Sequence, residues 1–358
     1  MLVKLGRYLD VKRGASLSGE FYADKGNYVR LTLGNFNYPN GGFKINTSKK
    51  DLYFIGDVKP EFILKKWDII TPLTEQVAGL LGETAWIPED DKYIQSGDVG
   101  LVIPDERVLD KKFCYYLLQS PIVKSQLGAG AQQTKIRHTS PQKIKDCKVQ
   151  IPSFEKQAVI GELLFNIDRQ IERNNAIVKR LQVLGKAIYS KNVTSVDFTK
   201  LASISTITTG KEDANHATPN GIYKFFTCSD GISLCDDYKF EGKSILVAGN
   251  GNFNVKYYDG KFNAYQRTYV IKNDEIIGNL YYTLVFNTEL FNRKANGSII
   301  KFLTIEMLNK IDVPLFSVEM NKALNDLLAE INKISSNTDS LMQLKGTLLP
   351  LLINQQLA

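Results

Sequence analysis

A chain of 358 residues, 43% of them hydrophobic, can bury two or more cores, which excludes disorder as the dominant state. Lys and Arg outnumber Asp and Glu by 45 to 38, a formal charge of +7 that favours a polyanionic partner such as a nucleic-acid backbone without requiring one. Cys114, Cys147, Cys228 and Cys235 follow no framework spacing, Met1 to Leu9 is too short for a signal peptide, and no apolar run is long enough for a membrane span, so a cytoplasmic, reduced protein without a structural zinc site is expected.

From Leu2 to about Gln150 the pattern predicts short strands and turns. YPNGGF at Tyr38 to Phe43 is a turn, followed by Lys44, Lys49 and Lys50; Trp67 to Thr74 and Gly97 to Pro104 are strands broken by proline or glycine. Phe113 to Leu127 is helical, split into two short helices by Pro121. After the break GAGAQQT, Lys135, Arg137 and His138 are expected in a loop or helix entry.

Phe154 to Lys191 reads as one long helix. Its spine of Ile160, Leu164, Ile167, Ile171, Asn174, Val178, Leu181, Gly185 and Ile188 alternates steps of three and four, a heptad seam. Leu324, Leu327, Ile331, Ile334, Thr338, Leu341, Lys345, Leu348 and Leu352 repeat that alternation at the end of the chain, where Pro350 is expected to kink or end the last turns. The simplest arrangement pairs the two helices antiparallel, with Asn174 and Thr338 as polar seam positions; the alternative lays each helix against its own domain.

Between the helices the chain retraces its first half. KLGRYLDVKRG at Lys4 matches KLASISTITTG at Lys200, KKWDIITPL at Lys65 matches EGKSILVAG at Glu241, and FCYYLL at Phe113 matches NLYYTL at Asn279. Val149 to Pro152 is aligned with Ile311 to Pro314, each proline being followed by its long helix. Matches in one order before equal helices predict an internal duplication. The turn-rich segments between them differ, as in related domains that bind different things on a shared frame, although drift of unselected loops fits equally well.

Catalytic patterns are missing from the sequence. There is no GxxxxGK[ST] phosphate loop and no Pro-Pro pair of the kind an amino-methyltransferase needs. AGNGNF at Ala248 to Phe253 is better read as a hairpin or DNA-facing turn than as a nucleotide loop. Asp237 with Glu241 and Lys243 has nuclease-like spacing that chance supplies readily, and Cys228 and Cys235 read as small hydrophobes because His216 lies far upstream in sequence. What remains is binding. The candidate DNA-binding residues are Lys44, Lys49, Lys50, Gln132, Gln133, Lys135, Arg137 and His138 in the first half, and Lys211, Asn250, Asn252, Asn254, Lys256, Gln266 and Arg267 in the second. Lys and Arg neutralise phosphates, while Arg, Asn and Gln also read base edges.

The duplicated openings, the block from Gly128 to Asn174 that leads through Pro152 and Gln157 into the central helix, and its weaker copy from Asn296 to Ile331 resemble the specificity subunits of Type I restriction-modification systems. In the weaker copy Glu319-Met320 stands where the first has Lys156-Gln157. The resemblance implies α/β (α+β) recognition domains in two copies related by a pseudo-two-fold axis, with a long antiparallel two-helix coiled coil between them. The expected boundaries are 1–151 and 196–314 for the recognition domains, and 152–195 and 315–358 for the spacer helices. It further implies a non-catalytic subunit that reads a bipartite double-stranded DNA target. Its partners would be two methyltransferase (M) subunits that bind S-adenosylmethionine, and restriction (R) subunits that use ATP and Mg; the chain itself would bind no cofactor or metal. A stand-alone DNA methyltransferase or nuclease, and a protein-binding structural adaptor, are the alternatives.

Overall fold

The computed structural model describes residues 2–38, 41–48, 50–129, 137–295 and 302–355. They divide into two compact units, Met1–Ile171 with Ser340–Ala358, and Glu172–Asp339. Each is a mixed α/β body to which both long helices contribute.

In the first unit an antiparallel sheet runs in the order Leu9–Arg13, Val99–Pro104, Ile69–Pro72, Ala85–Trp86. A second sheet, in the order Tyr22–Ala23, Tyr53–Phe54, Tyr28–Arg30, Tyr93–Ile94, is antiparallel except for its last pair. Helices Lys111–Gln119 and Pro121–Ala129 meet at Pro121, as the sequence predicts, and Asp110 starts the first by accepting the Phe113 N–H at 2.8 Å. Tyr115 and Tyr116 are fully buried in the main core with Leu5, Val11, Ile69 and Val102.

The second unit repeats this frame. Its main sheet runs Thr206–Thr209, Thr268–Lys272, Ser244–Ala248, Val255–Tyr258, beside a smaller sheet of Ser233–Cys235, Tyr223–Phe226 and Phe262–Ala264. The correspondence extends to register. Val102 pairs with Val11 and Ile69 in the first sheet, and Ile271 pairs with Ile207 and Ile245 in the second. Those are the aliphatic pairs that the sequence matches align, and each set belongs to its unit's core. Gly14 and Gly210 are equivalent as well: a Cβ on Gly14 would enter the backbone of Gln95 and Ser96, and one on Gly210 that of Ala264 and Tyr265.

The central helix is Phe154–Asn192 and the terminal helix Val318–Ile353. Every predicted seam position on both helices is buried or half-buried. Within the first unit, Ile160, Leu164 and Phe165 share a core with Leu348, Leu349 and Leu352, and Asp168 pairs with Lys345 at 2.7 Å while accepting the Tyr116 hydroxyl at 2.7 Å. Within the second unit, Asn174 donates to Asn337 Oδ1 at 3.0 Å, and Gly185 lies beside Leu327. The helices therefore run antiparallel, and each also packs on the unit it crosses: the two packing alternatives are both realised. Thr338 bonds within its own helix, to the Ile334 carbonyl, and its neighbour Asn337 is a polar partner of Asn174.

Three sequence expectations are corrected. Val149 pairs with Val3 and Val313 with Thr199, while Leu5 and Leu201 donate to the carbonyls of Cys147 and Ile311; Val149 therefore corresponds to Val313, not Ile311. Pro314 lies inside its strand, whereas Pro152 lies beyond its own, so matching the prolines shifted the alignment by two residues. In the correct register Asn321 takes the place of Gln157: each donates its side-chain amide to the carbonyl five residues back, Phe316 or Pro152, and its backbone N–H to a serine, Ser317 or Ser153. The second copy thus keeps an amide one methylene shorter. Lastly, Arg137–His138 is a short strand instead of a loop or helix entry. The terminal helix carries Pro350 in its last turn and ends at Ile353.

Candidate nucleic-acid interface

In the first unit, Thr74–Glu75 pairs antiparallel with Arg137–His138 just beyond the sheet strand Ile69–Pro72. Glu75 is 2% exposed, and a buried carboxylate needs donors. Its Oε2 accepts the N–H groups of Gly79 and Leu81, both at 3.1 Å, and its Oε1 lies 3.4 Å from Arg137 Nη1. Arg137 keeps a side chain 41% exposed, and His138 is exposed. Arg13, at the end of Leu9–Arg13, reaches the Thr139 carbonyl at 3.4 Å, so Arg13, Arg137 and His138 gather at one end of the sheet.

The matching end of the second sheet collects the other set. Ser244–Ala248 and Val255–Tyr258 form a hairpin whose loop carries Asn250, Asn252 and Asn254, with Gly251 at φ 73° and Phe253 buried. The Gly249 N–H donates to the Arg267 carbonyl at 2.8 Å, and that carbonyl also accepts the Cys228 thiol at 3.4 Å. Lys211 follows Gly210, and Gln266 donates its backbone N–H to Glu212 at 2.9 Å. Lys211, Asn250, Asn252 and Arg267 therefore share one rim, and Lys211, Asn252 and Arg267 are exposed there.

Not every candidate faces outward. Asn254 donates to the Cys228 carbonyl at 3.0 Å and to Asp230 at 3.2 Å; Lys256 donates to the Ser229 carbonyl at 2.7 Å and to Asn254. Both brace the Cys228–Asp230 turn, and burial holds the Lys256 ammonium below the usual lysine range. Gln266 is engaged with Asp213 at 2.9 Å. Lys44 and Lys50 are exposed but sit on a different loop, where the Lys44 N–H donates to the Asn35 carbonyl at 2.8 Å. Lys49, Gln132, Gln133 and Lys135 lie outside the described residues. Sequence reasoning missed Arg13 and Glu75. The first carried a usable signal, a basic residue beside the glycine that matches Gly210-Lys211; the second, a lone acid in an apolar stretch, carried none.

Of the Asp237–Glu241–Lys243 pattern, Asp237 is drawn into a different set of contacts. Asp237 lies 2.6 Å from His216 Nε2, which holds its carboxyl below the usual range, while the Glu241 carbonyl accepts Lys272. Among the described residues no helix is long and apolar enough to cross a membrane.

The model of the Type I restriction modification DNA specificity domain matches residues 1–183 and again residues 194–344. The EcoDI specificity subunit of Escherichia coli is 35% identical over 150 residues, which are 40% of this chain and 34% of that protein. The MjaVIII specificity subunit of Methanocaldococcus jannaschii is 30% identical over 117 residues, 32% of this chain and 27% of that protein. The matches thus span about a third of these relatives' lengths. Among solved structures, the Type I restriction-modification S subunit from M. genitalium has the same fold, with a TM-score of 0.65 and 17% identity over 99% of this chain and 96% of that one. With its two matched halves, this chain belongs to the Type I restriction modification DNA specificity family.

Proposed function

We propose that this chain is the non-catalytic DNA specificity subunit of a cytoplasmic Type I restriction-modification complex, in which each recognition domain reads one half of a bipartite target. The observation that carries the reading is the equivalence of the two rims: after matched strands and matched glycines, one presents Arg13, Arg137 and His138, and the other Lys211, Asn250, Asn252 and Arg267. Arginine and lysine there supply phosphate neutralisation, and arginine and asparagine the bidentate readout of base edges in the major groove. The differing loops explain why each half would read its own sequence. The recognition domains are 1–151 and 196–314. The helices 152–195 and 315–358 would hold the readers apart and receive two modification subunits, with restriction subunits joining them. S-adenosylmethionine belongs to the former, and ATP with Mg to the latter.

The test is titration of the purified complex with its modification subunits against labelled duplexes across a salt series. Sequence-selective binding with a steep salt slope is expected, and Arg137→Ala and Arg267→Ala should each weaken it and lower the slope by about one. Binding that neither substitution changes would remove these rims from the interface. DNA cleavage or methylation by the isolated chain would favour the stand-alone enzyme instead.

A further inference from the structure

The cysteine spacing conceals a cluster that folding assembles. Cys235 ends the strand Ser233–Cys235, Asp237 follows it, and His216 arrives from the 3-10 turn Ala214–His216. A ring nitrogen of His216, the Cys235 sulfur and a carboxylate oxygen of Asp237 all lie within 4.8 Å of one another. His216 Nε2 is 2.6 Å from Asp237 Oδ1, and Nδ1 on the far side of the ring is 3.5 Å from Glu212 Oε2. Asn263, fully buried, donates to Asp237 Oδ1 at 3.3 Å; the buried Cys235 thiol rests on the Asp237 carbonyl at 3.1 Å. The Asp237 side chain is 52% exposed, leaving one side of the cluster open to water.

We propose that His216, Cys235 and Asp237 bind a divalent transition metal of the zinc type, with Glu212 as the carboxylate that orients His216. The donor set is the argument. One thiolate, one imidazole and one carboxylate suit zinc and its neighbours, whereas magnesium and calcium require oxygen ligands. Around a tetrahedral ion with bonds of about 2.0 to 2.3 Å, ligand atoms stand roughly 3.2 to 3.8 Å apart, so side-chain rotations of a small order close the site. The fourth position falls on the open side, where water completes the shell. Without an ion Nε2 meets Asp237; to bind one it must carry no proton, and Glu212, 3.5 Å from Nδ1, stands where it can accept a hydrogen bond from the proton held on that nitrogen, the carboxylate–histidine–metal arrangement. Lys239 pairs with Glu212, so the carboxylate is held from both sides. On binding, the Cys235 S–H bond breaks, its proton passes to solvent, and the metal–sulfur bond replaces the contact with the Asp237 carbonyl. The ion would tie the segment 212–216 to the strand end at Cys235. Glu212 and Asp213 already hold Gln266, beside the rim that carries Lys211 and Arg267. The role is therefore structural support for that rim. This inference is independent of DNA binding and of the modification subunits.

The experiment titrates the full chain, stripped with a chelator and kept reduced, with cobalt(II) alone and then with zinc alone. One saturating equivalent of cobalt is expected, with the thiolate-to-cobalt charge-transfer absorption and tetrahedral visible bands, both displaced by zinc. Cys235→Ser should remove the charge-transfer absorption, and Glu212→Gln should keep the spectrum while weakening binding by about 10- to 100-fold. Zinc should raise the melting temperature of the wild-type chain and not that of Cys235→Ser. Absence of saturable cobalt binding by the wild-type chain, or a charge-transfer band that persists in Cys235→Ser, overturns the assignment. If Cys235→Ser does not fold, Asp237→Asn provides the second arm: cobalt affinity unchanged in that variant also overturns it.

Discussion

Gly185 interrupts an otherwise aliphatic and amide seam, and the second unit explains why. A Cβ at Gly185 would overlap the hydroxyl and Cζ of Tyr282 outright and stand 2.8 Å from Leu327 Cδ2, where ordinary carbon contacts need about 3.5 to 4.0 Å. Tyr282 is 1% exposed and packed beside Tyr189, Phe316 and Leu324, so its ring has little room to retreat. Gly185→Ala gains about 1 kcal/mol of helix propensity, but overpacking a filled core costs about 1–3 kcal/mol, and an overlap this complete belongs at or beyond the upper end. A net loss of about 2 kcal/mol or more is expected from denaturant unfolding followed by far-UV and near-UV circular dichroism. Tyr282→Ala alone should cost about 3–5 kcal/mol. In the double variant the methyl group enters vacated space, so its cost should fall short of the sum by at least about 1 kcal/mol. Wild-type stability or better in Gly185→Ala would refute the close approach, and strict additivity would refute the pairing with Tyr282.

Gln157 is 1% exposed and accepts the Asp110 N–H at 2.9 Å while donating to the Val108 and Pro152 carbonyls at 3.2 and 3.0 Å; Gln157→Ala should cost about 2–3 kcal/mol in thermal or denaturant unfolding. Asn321, whose Oδ1 is buried without a hydrogen-bond partner among the described residues, should cost less on the same substitution, and an equal loss would contradict the one-sided role assigned to it. Burial raises the folded-state pKa of Glu83 despite its pairing with Lys124. Between the unfolded value and that raised value the folded state holds more protons, so this group's contribution to stability falls as pH rises through the interval; the difference between wild type and Glu83→Gln should shift in that sense and level off above it. A difference independent of pH across the acidic range would contradict the shift. Glu75→Gln loses the carboxylate that holds Gly79, Leu81 and Arg137, and is expected to weaken DNA binding by the assembled complex nearly as much as Arg137→Ala; unchanged binding would show that Arg137 is positioned without it.

Much of the frame was legible because it is written in local and periodic signals. The long helix predicted at Phe154 to Lys191 runs Phe154–Asn192, and the aliphatic steps that defined the seam are buried or half-buried in the fold. The duplication was legible to the level of strand register at Val11, Ile69 and their counterparts Ile207 and Ile245. It failed at Pro152 and Pro314, because a proline reports its own backbone and not which carbonyl or strand its neighbours face. A further exchange was hidden by composition. Gly161 admits the backbone of Phe113 in the first unit, and in the second the glycine is on the opposite helix, where Gly278 admits Leu324 and Asn325. The interface was legible by residue type and not by direction: Lys211 and Arg267 face outward, whereas the equally polar Asn254 and Lys256 turn in to brace a turn. Contacts made by long separations, Glu75 with Arg137 and His216 with Cys235 and Asp237, leave no spacing for a sequence reading to recognise.

The central claim is that one chain carries two independent readers of one DNA target. It is tested most directly by expressing the chain with its modification subunits, mapping methylated sites across a genome, and repeating the map after residues 1–151 are replaced by the corresponding segment of a family member with a different target. The account predicts a two-part methylated sequence in which only one half changes while the other half and the gap between them are retained. A map in which both halves change together, or in which the target is unaltered, would contradict it.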